Sequence, residues 1–218
     1  MTRIDMHGHF EPPEYTAAVL KAIGPAPVPA WSVEQQLEMM AQYAIDATVV
    51  SVPPPGVFLG DQIQANELAR AVNESYAALT RAHPNKYAAL TALPLPDVDA
   101  AISELKYALD VLGLDGVALF THTAGTYLGD SSLDPLMAEL DRRGCYVFVH
   151  PTMSLYPNPL PQIPIWVQEF PFETTRAITN LLYSGTLHKW YLISVARKLP
   201  PAHQIRSTQP ASPTRSRS

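Results

Sequence analysis

Two histidines separated by a single glycine, His7 and His9, are the residues of this sequence best suited to chemistry. They follow residues 2–6, which predict a short β-strand, and side chains two residues apart on a strand point to the same face. Neutral imidazole is the commonest protein ligand for zinc and related ions, so the pair forms half of a metal site. The alternative is a chance His-x-His pattern. A third histidine, His150, follows another predicted strand and favours the metal site.

The elements that must position these histidines alternate between strands and helices. A Pro-rich loop is predicted between the first strand and Ser32, where Ser32 and Gln35 form a capping box that begins a helix. Further strands are predicted at 48–52, 87–93, 116–120 and 145–149. Further helices are predicted at 61–83, 97–112, 134–144 and 172–187.

This alternation, with nearly continuous apolar strands, predicts an α/β fold in which helices cover a parallel sheet. Both a doubly wound sheet and a β/α barrel fit it. A doubly wound dinucleotide site would carry a Gly-rich fingerprint after the first strand, where this sequence has histidines instead. Functional residues at the ends of several strands are typical of the barrel. We therefore expect a barrel.

Composition describes an ordinary globular protein, with 47% hydrophobic residues and mean hydropathy −0.01. No apolar run reaches the roughly 18 residues of a membrane span, and no signal-peptide pattern is present, so we expect no membrane partner and a cytoplasmic location. The single cysteine, Cys145, suits a reducing compartment and lies in an apolar stretch that predicts core packing. Residues 1–173 hold all 20 acidic residues, which argues against nucleic acid as a partner.

Six stretches carry a resemblance to a known family. They are IDMHGHF at 4–10, LDGVALF at 114–120, YLGD at 127–130, PLMAELDRRG at 135–144, VHP at 149–151 and FETTRA at 172–177. In type and order these motifs resemble the amidohydrolase-related (amidohydrolase 2) carboxy-lyases, the group of aminocarboxymuconate-semialdehyde decarboxylase, and most of all its methylsalicylate-type decarboxylases. The likeness extends from about residue 2 to 188.

The resemblance implies a metal-dependent (β/α)₈ TIM barrel that removes CO₂ from a small aromatic or unsaturated carboxylic acid. His7, His9 and His150 match the family's first three metal ligands, and the implied cofactor is a divalent metal, Zn²⁺. The family also places an acid/base histidine in a Ser-His-Ala-Gly-Gly stretch and an aspartate after its last strand. This sequence has no such stretch and no acidic residue after Glu173, so its catalytic residues are unknown.

Two regions are therefore expected. Residues 1–189 form a C-terminally incomplete amidohydrolase-type barrel of about five to six βα units, and residues 190–218 form an atypical, disordered tail. Within the tail, residues 190–193 fall where a sixth strand is due. An open parallel sheet exposes a strand edge, so we expect that the isolated chain is marginally stable, needs a partner or misfolds, and a homodimer is one form that such a partner would take.

Four further residues are candidates for substrate binding, each beside a plainer alternative. Arg176 would neutralise a substrate carboxylate, or form an ion pair on a helix surface. His122 would line a pocket at the end of the fourth strand, or be a polar loop residue. Phe10 and Trp31 would line an aromatic pocket, or pack in the core.

Three functions follow from these observations. The first is a metal-dependent, non-oxidative decarboxylase. The second is a metal-dependent hydrolase of the same superfamily, in which a metal-activated water attacks a C–N or C–O bond. The third is a catalytically inactive remnant, which the missing acid/base histidine and aspartate favour.

Overall fold

The computed structural model describes residues 2–25, 30–157 and 160–190, together with the backbone of residues 194–195. Its strands are β1 (Ile4–His9), β2 (Ala47–Ser51), β3 (Tyr87–Thr91), β4 (Gly116–Phe120), β5 (His122–Thr123), β6 (Thr126–Tyr127), β7 (Tyr146–His150) and β8 (Ser194–Val195). Six of them form one parallel sheet in the order β1-β2-β3-β4-β7-β8. The other two, β5 and β6, form an antiparallel hairpin directly after β4. The expected α/β fold with a curled, barrel-type parallel sheet is confirmed.

Helices connect the parallel strands. They are α1 (Pro13–Ile23), α2 (Val33–Gln42), α3 (Gln62–Ala82), α4 (Val98–Lys106), α5 (Asp134–Arg143), α6 (Ile165–Tyr183) and α7 (Thr186–Lys189). A π-helical turn, Tyr107–Leu112, continues α4, and a 3₁₀ turn, Ser131–Leu133, precedes α5. The capping box predicted at the start of α2 is present, since Ser32 Oγ accepts from Gln35 N–H and Gln35 Oε1 accepts from Ser32 N–H.

The two faces of the sheet pack differently, as the alternation of strand side chains requires. Val50 of β2 packs with α1 and α3 in one core cluster, and Val147 of β7 packs with α4 and α5 in a second. Their sequence neighbours Val49 and Tyr146 point the other way and join Leu90 in a small inner cluster. The helices thus cover the outer face, and the inner face is that of a barrel interior.

Three sequence predictions need correction. The stretch predicted as a Pro-rich loop contains α1, because Pro13 occupies the first helical turn, where its missing N–H costs nothing. The last long helix begins at Ile165 rather than near residue 172 and continues through Pro171. The predicted sixth strand at 190–193 falls mostly outside the described residues, and the strand seen next to β7 is Ser194–Val195.

No helix among the described residues is both long enough and apolar enough to cross a membrane. The predicted tail, apart from Trp190 and the backbone of residues 194–195, lies outside the described ranges.

Candidate metal centre

The three histidines singled out by the sequence lie together at the carboxyl ends of β1 and β7. The ring centroids of His7 and His9 are 5.0 Å apart, those of His7 and His150 are 4.8 Å apart, and those of His9 and His150 are 5.1 Å apart. One possible ligand atom from each residue lies within 4.8 Å of the other two. His150 is buried, whereas His7 is exposed, so the cluster has one open side.

The backbone of β1 is shaped to bring His7 and His9 to this position. Its pairing with β2 shifts register between Asp5 and Gly8, as in a β-bulge, which re-aims side chains. The Asp5 carboxylate accepts the His7 backbone N–H at 3.0 Å and so holds this irregular turn. Gly8 lies against β2, where a side-chain carbon would come within 3.0 Å of Thr48 Oγ1. Glycine between the two histidines therefore allows close strand packing.

Hydrogen bonds orient two of the imidazoles for metal binding. His9 Nδ1 donates to the backbone carbonyl of Ser51 at 3.1 Å, and His150 Nδ1 donates to the carbonyl of Pro151. A carbonyl oxygen only accepts, so the neutral ring carries its proton on Nδ1 and leaves the Nε2 lone pair free. This arrangement, with the second ring nitrogen bonded to the backbone, is typical of metal-ligating histidines.

Burial also keeps the three rings neutral. The pKa of His150 is lowered to about 4, mainly by desolvation and in smaller part by the neighbouring His9 and His7, while its hydrogen bond to the Pro151 carbonyl acts in the opposite direction. Burial likewise lowers the pKa of His9 and of His7, while the negative charge of Asp5 acts in the opposite direction on both. Neutral imidazole is the form that binds metals, so the cluster is prepared for a cation without first losing protons.

The donor set fits a divalent transition metal. In a tetrahedral site, metal–nitrogen bonds of about 2.0–2.1 Å place two ligand nitrogens roughly 3.4 Å apart. The possible ligand atoms of the cluster lie within 4.8 Å of one another, so the side chains must rotate inward to hold one ion. Three imidazoles suit zinc, and they also suit other first-row ions.

Phenylalanines that sequence reasoning missed form a wall around the histidines. Phe148 lies 5.0 Å from His7 between ring centroids, Phe120 lies 5.8 Å from His150, and Phe170 of α6 lies 6.3 Å from His150. The first two belong to strands whose inward side chains could have been found from their alternation, but α6 was predicted to begin after Phe170. The wall gives the site an apolar, aromatic surface next to its open side.

A cavity of about 370 Å³ lies beside His7 and His9. Trp31, predicted to line an aromatic pocket, is among its lining residues. Gln36 of α2, which the sequence did not suggest, also lines it and donates to the backbone carbonyl of His9. Phe10 instead packs against Tyr76 at 6.2 Å in the core cluster beneath α1 and α3, which is the plainer of its two alternatives.

The other two candidates, His122 and Arg176, lie together in a second polar cluster. His122 is buried and donates from Nε2 to the carbonyl of Met153 at 3.0 Å. Arg176 forms an ion pair with the fully buried Glu173 at 2.5 Å and lies over the ring of Tyr156. The structure thus shows the ion-pair alternative for Arg176, although with a buried carboxylate rather than on an open helix surface.

Comparison with known proteins places these features in a family. The family model Amidohydro_2, described as amidohydrolase, matches residues 4–200. A 6-methylsalicylic acid decarboxylase from Penicillium expansum is 37% identical over 201 residues, which cover 87% of this chain and 61% of that protein. The present chain therefore spans less than two thirds of the length of this curated relative.

Solved structures share the fold. An amidohydrolase II structure superposes with a TM-score of 0.84 at 28% identity, covering 88% of this chain and 65% of that chain. A dihydroxybenzoic acid decarboxylase from Polaromonas, solved with manganese and 2-nitroresorcinol, superposes with a TM-score of 0.74 at 20% identity, covering 88% and 63%. The second likeness concerns the fold alone. Since the family model matches most of its residues, this chain belongs to the amidohydrolase family.

Proposed function

We propose that this chain is a metal-dependent carboxy-lyase that removes CO₂ from a small aromatic carboxylic acid. The observation that carries the proposal is the cluster of His7, His9 and His150 at the carboxyl ends of barrel-type strands, bounded by an aromatic wall. The similarity to the Penicillium 6-methylsalicylic acid decarboxylase supports the substrate class.

The histidines would hold a divalent ion, for which we propose zinc, although the Polaromonas relative was solved with manganese. When bound, such an ion polarises a substrate oxygen as a Lewis acid. The Nδ1–H bonds of His9 and His150 fix the rings and leave both Nε2 atoms available as metal ligands. Phe148 and Phe120 offer apolar faces for an aromatic ring and exclude water, which strengthens electrostatic interactions inside the site.

Trp31 would stack against the substrate ring from the side of the neighbouring cavity. Among the described residues the metal-binding group holds three histidines and no fourth, while Asp5 and Glu11 are the carboxylates that line the neighbouring cavity. A group without a further histidine to move a proton favours a second candidate function, a protein that binds metal and ligand without turnover. The homodimer expected from the sequence stays a prediction. Sedimentation of the metal-loaded chain measures its oligomeric state.

The experiment is a decarboxylation assay with the full chain. Zn²⁺ or Mn²⁺ is added to chelator-treated protein, and 6-methylsalicylic acid or a dihydroxybenzoic acid is supplied as substrate. The carboxylate carbon must leave as CO₂ and the ring carbon must gain a proton, so equal amounts of CO₂ and decarboxylated phenol are expected. Metal binding without product supports the second candidate. Hydrolysis of an ester or amide substrate in place of decarboxylation contradicts the proposal.

A further inference from the structure

The motif FETTRA places a carboxylate, Glu173, at full burial on the inward side of α6. Its Oε2 accepts the Tyr127 hydroxyl at 2.7 Å and lies 3.9 Å from His122 Nε2, and its Oε1 pairs with Arg176. Burial, and then the bond to Glu173, raise the pKa of Tyr127, so the hydroxyl stays a donor. A buried carboxylate with several partners ties together the elements that supply them.

The segment tied in this way follows His150 directly. Three contacts hold residues 152–156. Thr152 N–H donates to Thr121 Oγ1 at 3.3 Å, the Met153 carbonyl accepts from His122, and the Tyr156 ring lies under Arg176. Two of the three partners, His122 and Arg176, also lie against Glu173. The backbone carbonyl of His150 is itself bonded to Thr121 N–H at 2.9 Å, so the same hairpin region supports the ligand and the segment after it.

We propose that Glu173 is a positioning residue for the metal centre, which orients His150 by holding the hairpin β5–β6, helix α6 and residues 152–156 in one arrangement. This inference rests on the proposed function, because it assigns the metal role to His150. Glu173 does not touch the histidine cluster. It acts through His122 and Arg176, and α6 also brings Phe170 to within 6.3 Å of the His150 ring.

The plainer alternative is that Glu173 only stabilises the fold. The chain provides a matched control in Glu104 of α4, another buried carboxylate. Glu104 accepts from Asn73 Nδ2 at 2.8 Å and pairs with Arg70 at 2.8 Å, and thus joins α3 to α4. Asn73 and Arg70 both belong to α3 and not to the segment after His150. Both carboxylates stabilise the fold. Of the two, Glu173 is the one that contacts His122 and Arg176, the residues that hold the segment after His150.

The test compares the full chain with its Glu173→Gln and Glu104→Gln variants. Amide hydrogen exchange is measured in the chelator-treated proteins, and Zn²⁺ affinity is measured by competition with a chromophoric chelator. In Glu173→Gln we expect exchange at residues 152–156 to accelerate roughly tenfold. We expect the Zn²⁺ Kd to rise roughly three- to tenfold, which is less than the roughly 10–100-fold loss typical when a direct hydrogen-bond partner of a metal ligand is replaced, because Glu173 acts on His150 indirectly. In Glu104→Gln we expect both to stay within about twofold of the wild type, with faster exchange confined to α3 and α4.

The outcomes separate the two claims. Unchanged exchange at residues 152–156 in Glu173→Gln, or equal changes in both variants, overturns the positioning role. An unchanged Kd in a chain that binds Zn²⁺ also overturns it. If the wild type binds neither Zn²⁺ nor Mn²⁺, the proposed function fails, and the exchange data alone then decide whether Glu173 orders the segment. If Glu173→Gln does not fold, Tyr127→Phe removes one bond to Glu173 and must show the same pattern at smaller size.

Discussion

The imidazole rings of His7 and His150 lie 4.8 Å apart between centroids, at an interplanar angle of 83°. Their strands, β1 and β7, are separated in the sheet by β2, β3 and β4. In a flat sheet with strands about 4.8 Å apart, such strands would be about 19 Å apart. The sheet must therefore curl, and its curvature brings the first histidine pair to the third histidine. The histidine cluster is a consequence of barrel curvature.

Substitution of Gly8 by Ala is expected to weaken metal binding without removing a ligand. The new methyl group would clash with Thr48 Oγ1 and lie 3.3 Å from the Val49 carbonyl, so the backbone that carries His7 and His9 must shift. We expect the Zn²⁺ Kd to rise roughly tenfold, which is comparable to the affinity loss when a residue that orients a metal ligand is replaced. Titration calorimetry measures it. The Gly8→Ala, Thr48→Ala double variant removes the closest contact and should recover part of the affinity; no loss in the single variant would contradict this account of Gly8.

Trp31→Ala is expected to weaken binding of an aromatic carboxylic acid to the metal-loaded chain. Trp31 lines the cavity beside His7 and His9, and loss of an aromatic contact should raise the Kd roughly three- to tenfold. Trp166→Ala is the matched control, because Trp31 and Trp166 are 49% and 53% exposed but only Trp31 lines this cavity. Calorimetry with 6-methylsalicylic acid gives both values. Equal effects in the two variants would remove Trp31 from the binding site.

Cys145 is expected to resist alkylation in the folded chain. Burial raises the pKa of its thiol to about 11, and only the thiolate reacts. Relative to an ordinary thiol of pKa about 8.5, the thiolate population at pH 8 is lower by roughly two orders of magnitude. The rate with iodoacetamide should rise about tenfold per pH unit as pH approaches the raised pKa, and unfolding in urea should abolish the protection. A folded chain that reacts at the unfolded rate would refute the core position predicted for Cys145.

Leu105→Ala is expected to lower the free energy of unfolding by about 2–5 kcal/mol, because it deletes a fully buried side chain from the cluster between the sheet and α4–α5. Leu182→Ala, at a position that is 58% exposed, should change it by less than about 0.5 kcal/mol. Urea titrations followed by circular dichroism measure both. Similar losses in the two variants would mean that this cluster is not a packed core.

Sequence patterns found the features that depend on local chemistry. The bounds of β4 agree with the prediction, because a glycine followed by an apolar run marks the strand. The capping box before α2 was predictable because Ser32 and Gln35 are only three residues apart in the sequence. Helix α1 was missed because its prolines suggested a loop, although Tyr15 and Val19 repeat at helical spacing on its buried side.

Features that depend on contacts between distant segments could not be read in this way. Nothing local to the sequence near Arg176 reveals that Glu173 beside it is fully buried and bonded to Tyr127. The same holds for Phe170, whose position near His150 depends on where α6 begins and how it packs. By contrast, the histidine cluster was predictable because parallel strands place their carboxyl ends at one edge of the sheet.

The central claim is that His7, His9 and His150 bind one divalent metal ion. Its most direct test is titration of Zn²⁺ and Mn²⁺ into the chelator-treated full chain, beside His150→Ala and the exposed control His188→Ala. We predict one equivalent bound by the wild type and by His188→Ala. In His150→Ala we predict a loss of metal affinity greater than the roughly 10–100-fold loss that is typical when a residue hydrogen-bonded to a metal ligand is replaced. Equal binding by wild type and His150→Ala, or no binding by the wild type, would contradict the claim.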